Sequence, residues 1–288
     1  MGLKSIIFLI VLVGVRGSPT SKTASADMLA SSKIMLETAK ETGEKSTLPV
    51  EVVEEDVMAT GELNPNHYPA QRAAKVVQHY LNTRYGSPYR LFGLHQVHSG
   101  NAEDVSNSGR RYQLEISVHE IISNKTQKCS AEVFFPQGEG PLLAEVQASP
   151  CDELLHIDTK LQEEALYQQY RNNQSLLSAQ NLPDSYGHIE PDMKPFWHLA
   201  IVASSFIMLK ESTENTLYNL AQVASIKQLA TENEQLKFEC HVLLHEMVSQ
   251  EIPQWKLQFT WSSAGGVNVL EKEQLPHCHS CEKAQNSS

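Results

Sequence analysis

Val118-His119-Glu120-Ile121-Ile122-Ser123 is matched, residue type for residue type, by Leu244-His245-Glu246-Met247-Val248-Ser249, 126 positions later. The same offset brings Pro69 onto Pro195, Ala74 onto Ala200 and Val76 onto Val202. It also lays Phe92-Gly-Leu94-His-Gln96-Val97 on Tyr218-Asn-Leu220-Ala-Gln222-Val223. Asn66 and Asp192, both helix-capping types, fall together as well. One register that serves a helix and two strands without a gap marks a duplicated unit. Its period is far longer than the 20–50 residues of a solenoid repeat, so two domains are expected rather than an array.

Each unit reads as a helix followed by strands. The helices are expected at Pro69–Arg84 and Pro195–Lys210, with Pro in the first turn, where its missing N–H does no harm. In the first, Ala73, Val77, Tyr80, Leu81 and Arg84 share a face, and Lys75 and Gln78 lie opposite; Gly86 ends it. The second is apolar nearly all round and should be more deeply buried. Tyr112, Leu114, Ile116 and Val118 alternate with Gln113, Glu115 and Ser117, the period-two pattern of a half-buried strand. Strands are expected near 89–98, 111–123, 128–135 and 142–149, and again near 216–229, 235–249, 254–261 and 267–270. The fold class expected is α+β: two tandem domains, each a helix packed on a curved antiparallel sheet, joined by a linker helix over Leu161–Asn172.

The flanks carry other information. Lys4 precedes the apolar run Ser5–Val15, and Val15-Arg16-Gly17 follows the pattern of a signal-peptidase site. Residues 1–17 are therefore read as a secretory signal cleaved after Gly17. A spanning helix needs about 20 residues, so no membrane association is expected unless the signal is retained. Residues 18–64, rich in Ser, Thr and Glu and without an aromatic, read as an acidic flexible arm. Globular sequence follows as domain 1 (65–150), a connecting segment with a helix (151–189), domain 2 (190–270) and a polar tail (271–288).

The chain has 288 residues and a net charge of −11, with 23 Lys and Arg against 34 Asp and Glu. That balance argues against a nucleic-acid partner, which needs a basic face, and leaves basic proteins or cations open. In an oxidising compartment Cys129 and Cys151 are candidates for a disulfide, Cys240 for a buried free thiol, and Cys278 and Cys281 lie in the tail. Asn124, Asn173 and Asn286 open N-x-S/T sequons and are glycosylation candidates.

These residues resemble the latexin family over about residues 64–275. The resemblance is carried by Asn66-His-Tyr68-Pro69-Ala70 with Arg72-Ala-Ala74, by Lys128-Cys-Ser-Ala-Glu-Val133, by Leu182-Pro-Asp-Ser-Tyr-Gly-His-Ile-Glu-Pro191, and by Leu243-Leu-His-Glu-Met-Val-Ser-Gln-Glu-Ile252. The signal, the cysteine pair and Gly187-His188-Ile189 look closer to a secreted or membrane-linked branch that includes eggshell-matrix proteins. The resemblance implies cystatin-like domains that jointly cap the active-site funnel of zinc carboxypeptidases of the A/B type. It implies an interface from His245 to Glu251, including His245, Glu246, Gln250 and Glu251, with Gln250 nearest the zinc cleft. Where the family has Glu-Ile-Ile-Pro-Trp, this chain has Glu251-Ile-Pro253-Gln-Trp255, with Pro one residue early.

No enzyme is expected. His119-Glu120 and His245-Glu246 lack the second His that a helical zinc motif needs, and neighbours on a strand face opposite ways. Gln96-Val-His-Ser-Gly100 is similar to the Gln-x-Val-x-Gly wedge of cystatins, but its Val is out of place, and a strand end before a loop is expected instead. His277-Cys278-His279-Ser-Cys281 lacks the long intervening loop of a structural zinc site. There is no nucleophile elbow and no phosphate-cradling Gly loop, and no cofactor or bound metal is expected. The functional expectation is a secreted carboxypeptidase inhibitor. The alternative is an extracellular-matrix protein that holds matrix or calcium mineral through its acidic arm.

Overall fold

The computed structural model describes residues 60–139, 142–149, 151–173, 175–230 and 234–276. The signal, most of the arm, Asn286, Cys278, Cys281 and the His277–Cys281 cluster lie outside them. A strand β1 (Gly61–Leu63) leads into helix α1 (Tyr68–Tyr85) and strands β2 (Phe92–Val105), β3 (Gly109–Glu120), β4 (Lys125–Pro136) and β5 (Glu145–Ala148). Two helices, α2 (Asp152–Leu155) and α3 (Lys160–Asn172), precede β6 (Ser178–Leu182). Then come a 3-10 turn at Pro191–Met193, helix α4 (Lys194–Lys210) and strands β7 (Tyr218–Gln228), β8 (Leu236–Glu246), β9 (Gln254–Ser262) and β10 (Gly266–Gln274).

Two five-stranded antiparallel sheets result, ordered β1-β2-β3-β4-β5 and β6-β7-β8-β9-β10. The protein is thus α+β with the same strand order twice. The repeat extends to irregularities. β2 is bulged against β3 between Leu94 and Gln96 and between Val97 and Ser99, and β7 against β8 between Leu220 and Gln222 and between Val223 and Ser225. Each bulge adds local twist, which bends both sheets around their helices.

Each core follows from strand parity. Along β8, Leu236, Phe238, Cys240, Val242 and Leu244 are buried while the residues between them are half-buried. α4 and the α3 residues Leu166, Tyr167 and Tyr170 pack into that core, with Tyr170 edge-on to Phe196 and Tyr167 edge-on to Trp261. α1 fills the first core, where Cys129 on β4 is bonded to Cys151 just before α2. Cys240 is a free, buried thiol.

The helices also pack on each other, and the seam between the halves repeats its contacts. Arg72 Nη1 donates to the Glu214 carbonyl at 3.4 Å, and His198 Nδ1 donates to the Pro88 carbonyl at 2.7 Å. Position 72 corresponds to 198, and 88 to 214, under the repeat offset. Each half therefore sends one side chain to the same place on the other, the reciprocal pattern of a two-fold interface. His79 adds a bond from Nε2 to the Tyr218 carbonyl at 3.1 Å.

Several expectations are corrected. β1 lies in the stretch expected to be a flexible arm, β6 in the segment expected to connect the domains, and β10 continues past residue 270 into the expected polar tail. Lys75 and Gln78, expected opposite the apolar face, are half-buried; Gln78 Oε1 accepts from Lys75 Nζ at 3.1 Å and from the Leu94 N–H at 2.9 Å, which ties it to β2. Gln96–Gly100 is not a strand end; it is the bulged middle of β2. Gly86 ends α1 in an extended conformation, not a left-handed one. It is needed for proximity, since a Cβ there would lie 2.4 Å from the Asn82 carbonyl oxygen and 2.8 Å from Val202 Cγ2.

Candidate functional site

The inward parity that buries Tyr112, Leu114, Ile116 and Val118 continues to Glu120, and that of β8 continues to Glu246. A carboxylate drawn into a core must be satisfied by donors. Glu120, wholly buried, accepts backbone N–H bonds from Leu91 at 2.9 Å, Ile122 at 3.2 Å and Ser123 at 2.7 Å. Glu246 accepts from Leu217 at 2.8 Å, Val248 at 3.1 Å and Ser249 at 2.6 Å. All three donors correspond under the repeat. So does the backbone bond beside them, Ile121 N–H to Leu91 O at 2.8 Å and Met247 N–H to Leu217 O at 2.9 Å. Each Glu thus ties its hairpin turn to the segment entering the sheet. Burial works against the Glu246 charge, but the hydrogen bonds from Ser249, Leu217 and Val248 outweigh it and hold its pKa below the usual carboxylate value.

The clamped turns present apolar side chains to solvent. Ile121 and Ile122 are exposed on the first tip, and Met247, Val248 and Ile252 on the second. Asn124 and Gln250 close the two turns at equivalent corners with left-handed backbones, φ 57° and 62°. Gln250 folds its amide back, Nε2 donating to the Met247 carbonyl at 2.5 Å. Pro253 stands opposite Leu244 and accepts its N–H at 3.0 Å but has none to return, so the regular β9 ladder begins only at Gln254. In the first half the ladder runs on to Glu120 and Lys125. The displaced Pro therefore frees the second tip from one rung.

Expected interface residues sort by face. His245 lies on the outer face of β8, half-buried; Gln250 and Glu251 are exposed, Glu251 bridging to Glu246 through the backbone. Glu246 points inward and is spent on the turn, so it shapes the tip instead of presenting itself to a partner. His119 Nε2 donates to Asn124 Oδ1 at 3.0 Å. Asn124 and Asn173 are both exposed. Among the described residues no three His, Cys, Asp or Glu side chains are placed to share a metal ion, and no helix is long and apolar enough to cross a membrane.

Tyr186 is a surface feature that sequence reasoning missed. It is 93% exposed in a turn built by Asp184, whose Oδ1 accepts the N–H of His188 at 2.8 Å and of Tyr186 at 2.9 Å. Those two bonds hold the Asp184 carboxyl below its usual pKa. Gly187, φ 78°, supplies the left-handed step. Leu182 pairs with Val223, so the chain leaves β6 toward the Tyr218 end of β7, and Tyr218 pairs with Glu246. Tyr186 therefore stands at the same end of the second sheet as the Met247–Gln250 turn. An aromatic between Asp184-Ser185 and Gly187 in a turn-rich stretch was the available signal.

The sequence model described as Latexin matches residues 63–279. Latexin of Mus musculus is 34% identical over 224 residues, covering 75% of this chain and 97% of that protein. Human latexin is 33% identical over 216 residues, with the same coverage of both. Human retinoic acid receptor responder protein 1 is 31% identical over 228 residues, 76% of this chain and 74% of that one. The crystal structure of mouse fetuin-B aligns at 12% identity and a TM-score of 0.23, over 76% of this chain and 71% of that one, a likeness that carries no argument.

Proposed function

Because the chain belongs to the latexin family, we propose that it is a secreted, non-catalytic inhibitor of zinc carboxypeptidases of the A/B type. In this reading its halves are tandem cystatin-like domains joined through α3. The second-half tip seats in the enzyme's funnel and the surrounding surface excludes substrate. The observation that carries it is the Met247–Gln250 turn, which is apolar, solvent-facing and held rigid by a buried carboxylate, with Tyr186 at the same end of the sheet. A preorganised tip with an aromatic anchor loses little entropy on docking. Capping a funnel would bury on the order of 1,200–2,000 Å² in total. Seating requires Gln250 to release the Met247 carbonyl, and its amide then becomes free for the cleft.

The test is titration of the chain against a panel of zinc carboxypeptidases. Stoichiometric inhibition of at least one is expected. Truncating His245, Gln250 and Glu251 together to Ala should weaken it about 100-fold, a loss of hot-spot size, with unfolding unchanged. Unchanged inhibition constants in that triple variant would remove the site. A chain that inhibits none of the panel yet is retained by calcified matrix through 18–64 would favour the matrix role instead.

A further inference from the structure

The geometry points to Asn124 as an N-glycan acceptor, whose sugar leaves only the second hairpin tip free to enter a cleft. Asn124-Lys125-Thr126 is a complete sequon at the outer corner of the β3–β4 turn, and all three residues are exposed. The Asn124 Oδ1 is held by His119, while the carboxamide nitrogen, the atom that bonds the sugar, makes no hydrogen bond among the described residues. A glycan added to the nascent chain therefore has nothing to displace when the hairpin closes. In the transfer, that nitrogen bonds C1 of an oligosaccharide carried on a lipid pyrophosphate. The pyrophosphate leaves with the bonding pair, and the amide gives up one proton.

The position gives the modification its meaning. Asn124 and Gln250 occupy equivalent corners with the same left-handed backbone, on turns clamped by equivalent carboxylates. The two tips would otherwise offer a partner the same shape twice. A bulky hydrophilic chain at Asn124 makes the Ile121–Ile122 tip unable to seat and gives the molecule one working end. This consequence rests on the inhibitor reading; the acceptor assignment does not.

The full chain is expressed through the secretory pathway of animal cells, and glycopeptides are mapped after enzymatic release, which converts an occupied Asn to Asp. Occupancy at Asn124 is expected, and it should vanish in Thr126→Ala, which keeps the turn residue itself. An unmodified Asn124, whether or not Asn173 is occupied, overturns the assignment. For the consequence, Thr126→Ala should change inhibition by less than about threefold, whereas moving the sequon to the other tip with Ser249→Asn and Glu251→Thr should make the glycosylated form at least about 100-fold weaker than the same variant produced without glycosylation. A glycosylated second tip that still inhibits fully overturns the one-ended arrangement. Occupied Asn124 on a chain that inhibits no peptidase sinks the inhibitor reading and supports the acceptor assignment.

Discussion

The Glu246 carboxylate reaches across the mouth of the second sheet to the Leu217 N–H, 2.8 Å away, and by that bond joins the chain entering β7 to the turn leaving β8. Replacing Glu246 with Ala leaves this N–H and those of Val248 and Ser249 without their acceptor. A loss of about 2–4 kcal/mol is expected, read by urea unfolding, with Glu120→Ala costing a similar amount. Because the folded pKa of Glu246 lies below its ordinary value of about 4.5, its contribution is full above that pH and fades as pH falls through the folded value. Any effect of Glu246→Ala on inhibition should follow the rigidity of the tip.

The seam between the halves should weaken in mild acid. Burial foremost, with the Lys75 ammonium, pushes the His79 pKa down to about 3, against the bond to the Tyr218 carbonyl. Burial likewise lowers that of His198. His79 is neutral when folded across this range, His198 holds its proton less readily than a free imidazole, and both take up a proton when unfolded below about pH 6.5. The unfolded chain then binds more protons, so stability falls with pH from about 6.5 downward, by on the order of 1 kcal/mol per pH unit for His79, with His198 adding in the same direction. Unfolding midpoints between pH 7.5 and roughly 5 check this; His79→Gln and His198→Gln together should flatten the profile.

Gln250→Gly should act in opposite directions on two measurements. At φ 62° a side chain is strained and Gly is not. Stability should rise by up to about 1 kcal/mol in thermal or urea unfolding. Inhibition should weaken, because the amide expected to enter the cleft is gone.

The disulfide closes the stretch between Cys129 and Cys151, 22 residues apart. Cys129→Ala with Cys151→Ala should cost about 3 kcal/mol, the loop-closure scale for such a span. Cys240 should resist alkylation in the native protein and react only on unfolding, since burial both hides the thiol and pushes its pKa up. Mass spectrometry after a timed iodoacetamide pulse checks both states.

The central strands and both long helices were legible because burial imposes a period on them: the alternation along 112–118 and the apolar run of α4 leave few other readings. β1 and β6 were not. Gly61-Glu-Leu63 and Ser178-Ala-Gln-Asn-Leu182 are short, mostly polar edge strands held by backbone bonds that impose little on side chains. The half-burial of Lys75 and Gln78 was not legible either, because a polar side chain that bonds a neighbouring strand, as Gln78 does at Leu94, leaves no mark on the apolar period. In the candidate site, the tip residues followed from the resemblance. The inward role of Glu246 was available from parity alone, since it continues the series Leu236 to Leu244. The Asp184 turn and its Tyr186 depend on loop geometry, which no periodicity encodes.

At the joint between the halves, Arg72 serves one side and His198 the other, yet both deliver to main-chain oxygens, at Glu214 and Pro88. A carbonyl survives every substitution of the residue that bears it. Any donor of suitable reach can hold such a joint, so the copies were free to drift apart in side chains without coming apart in space.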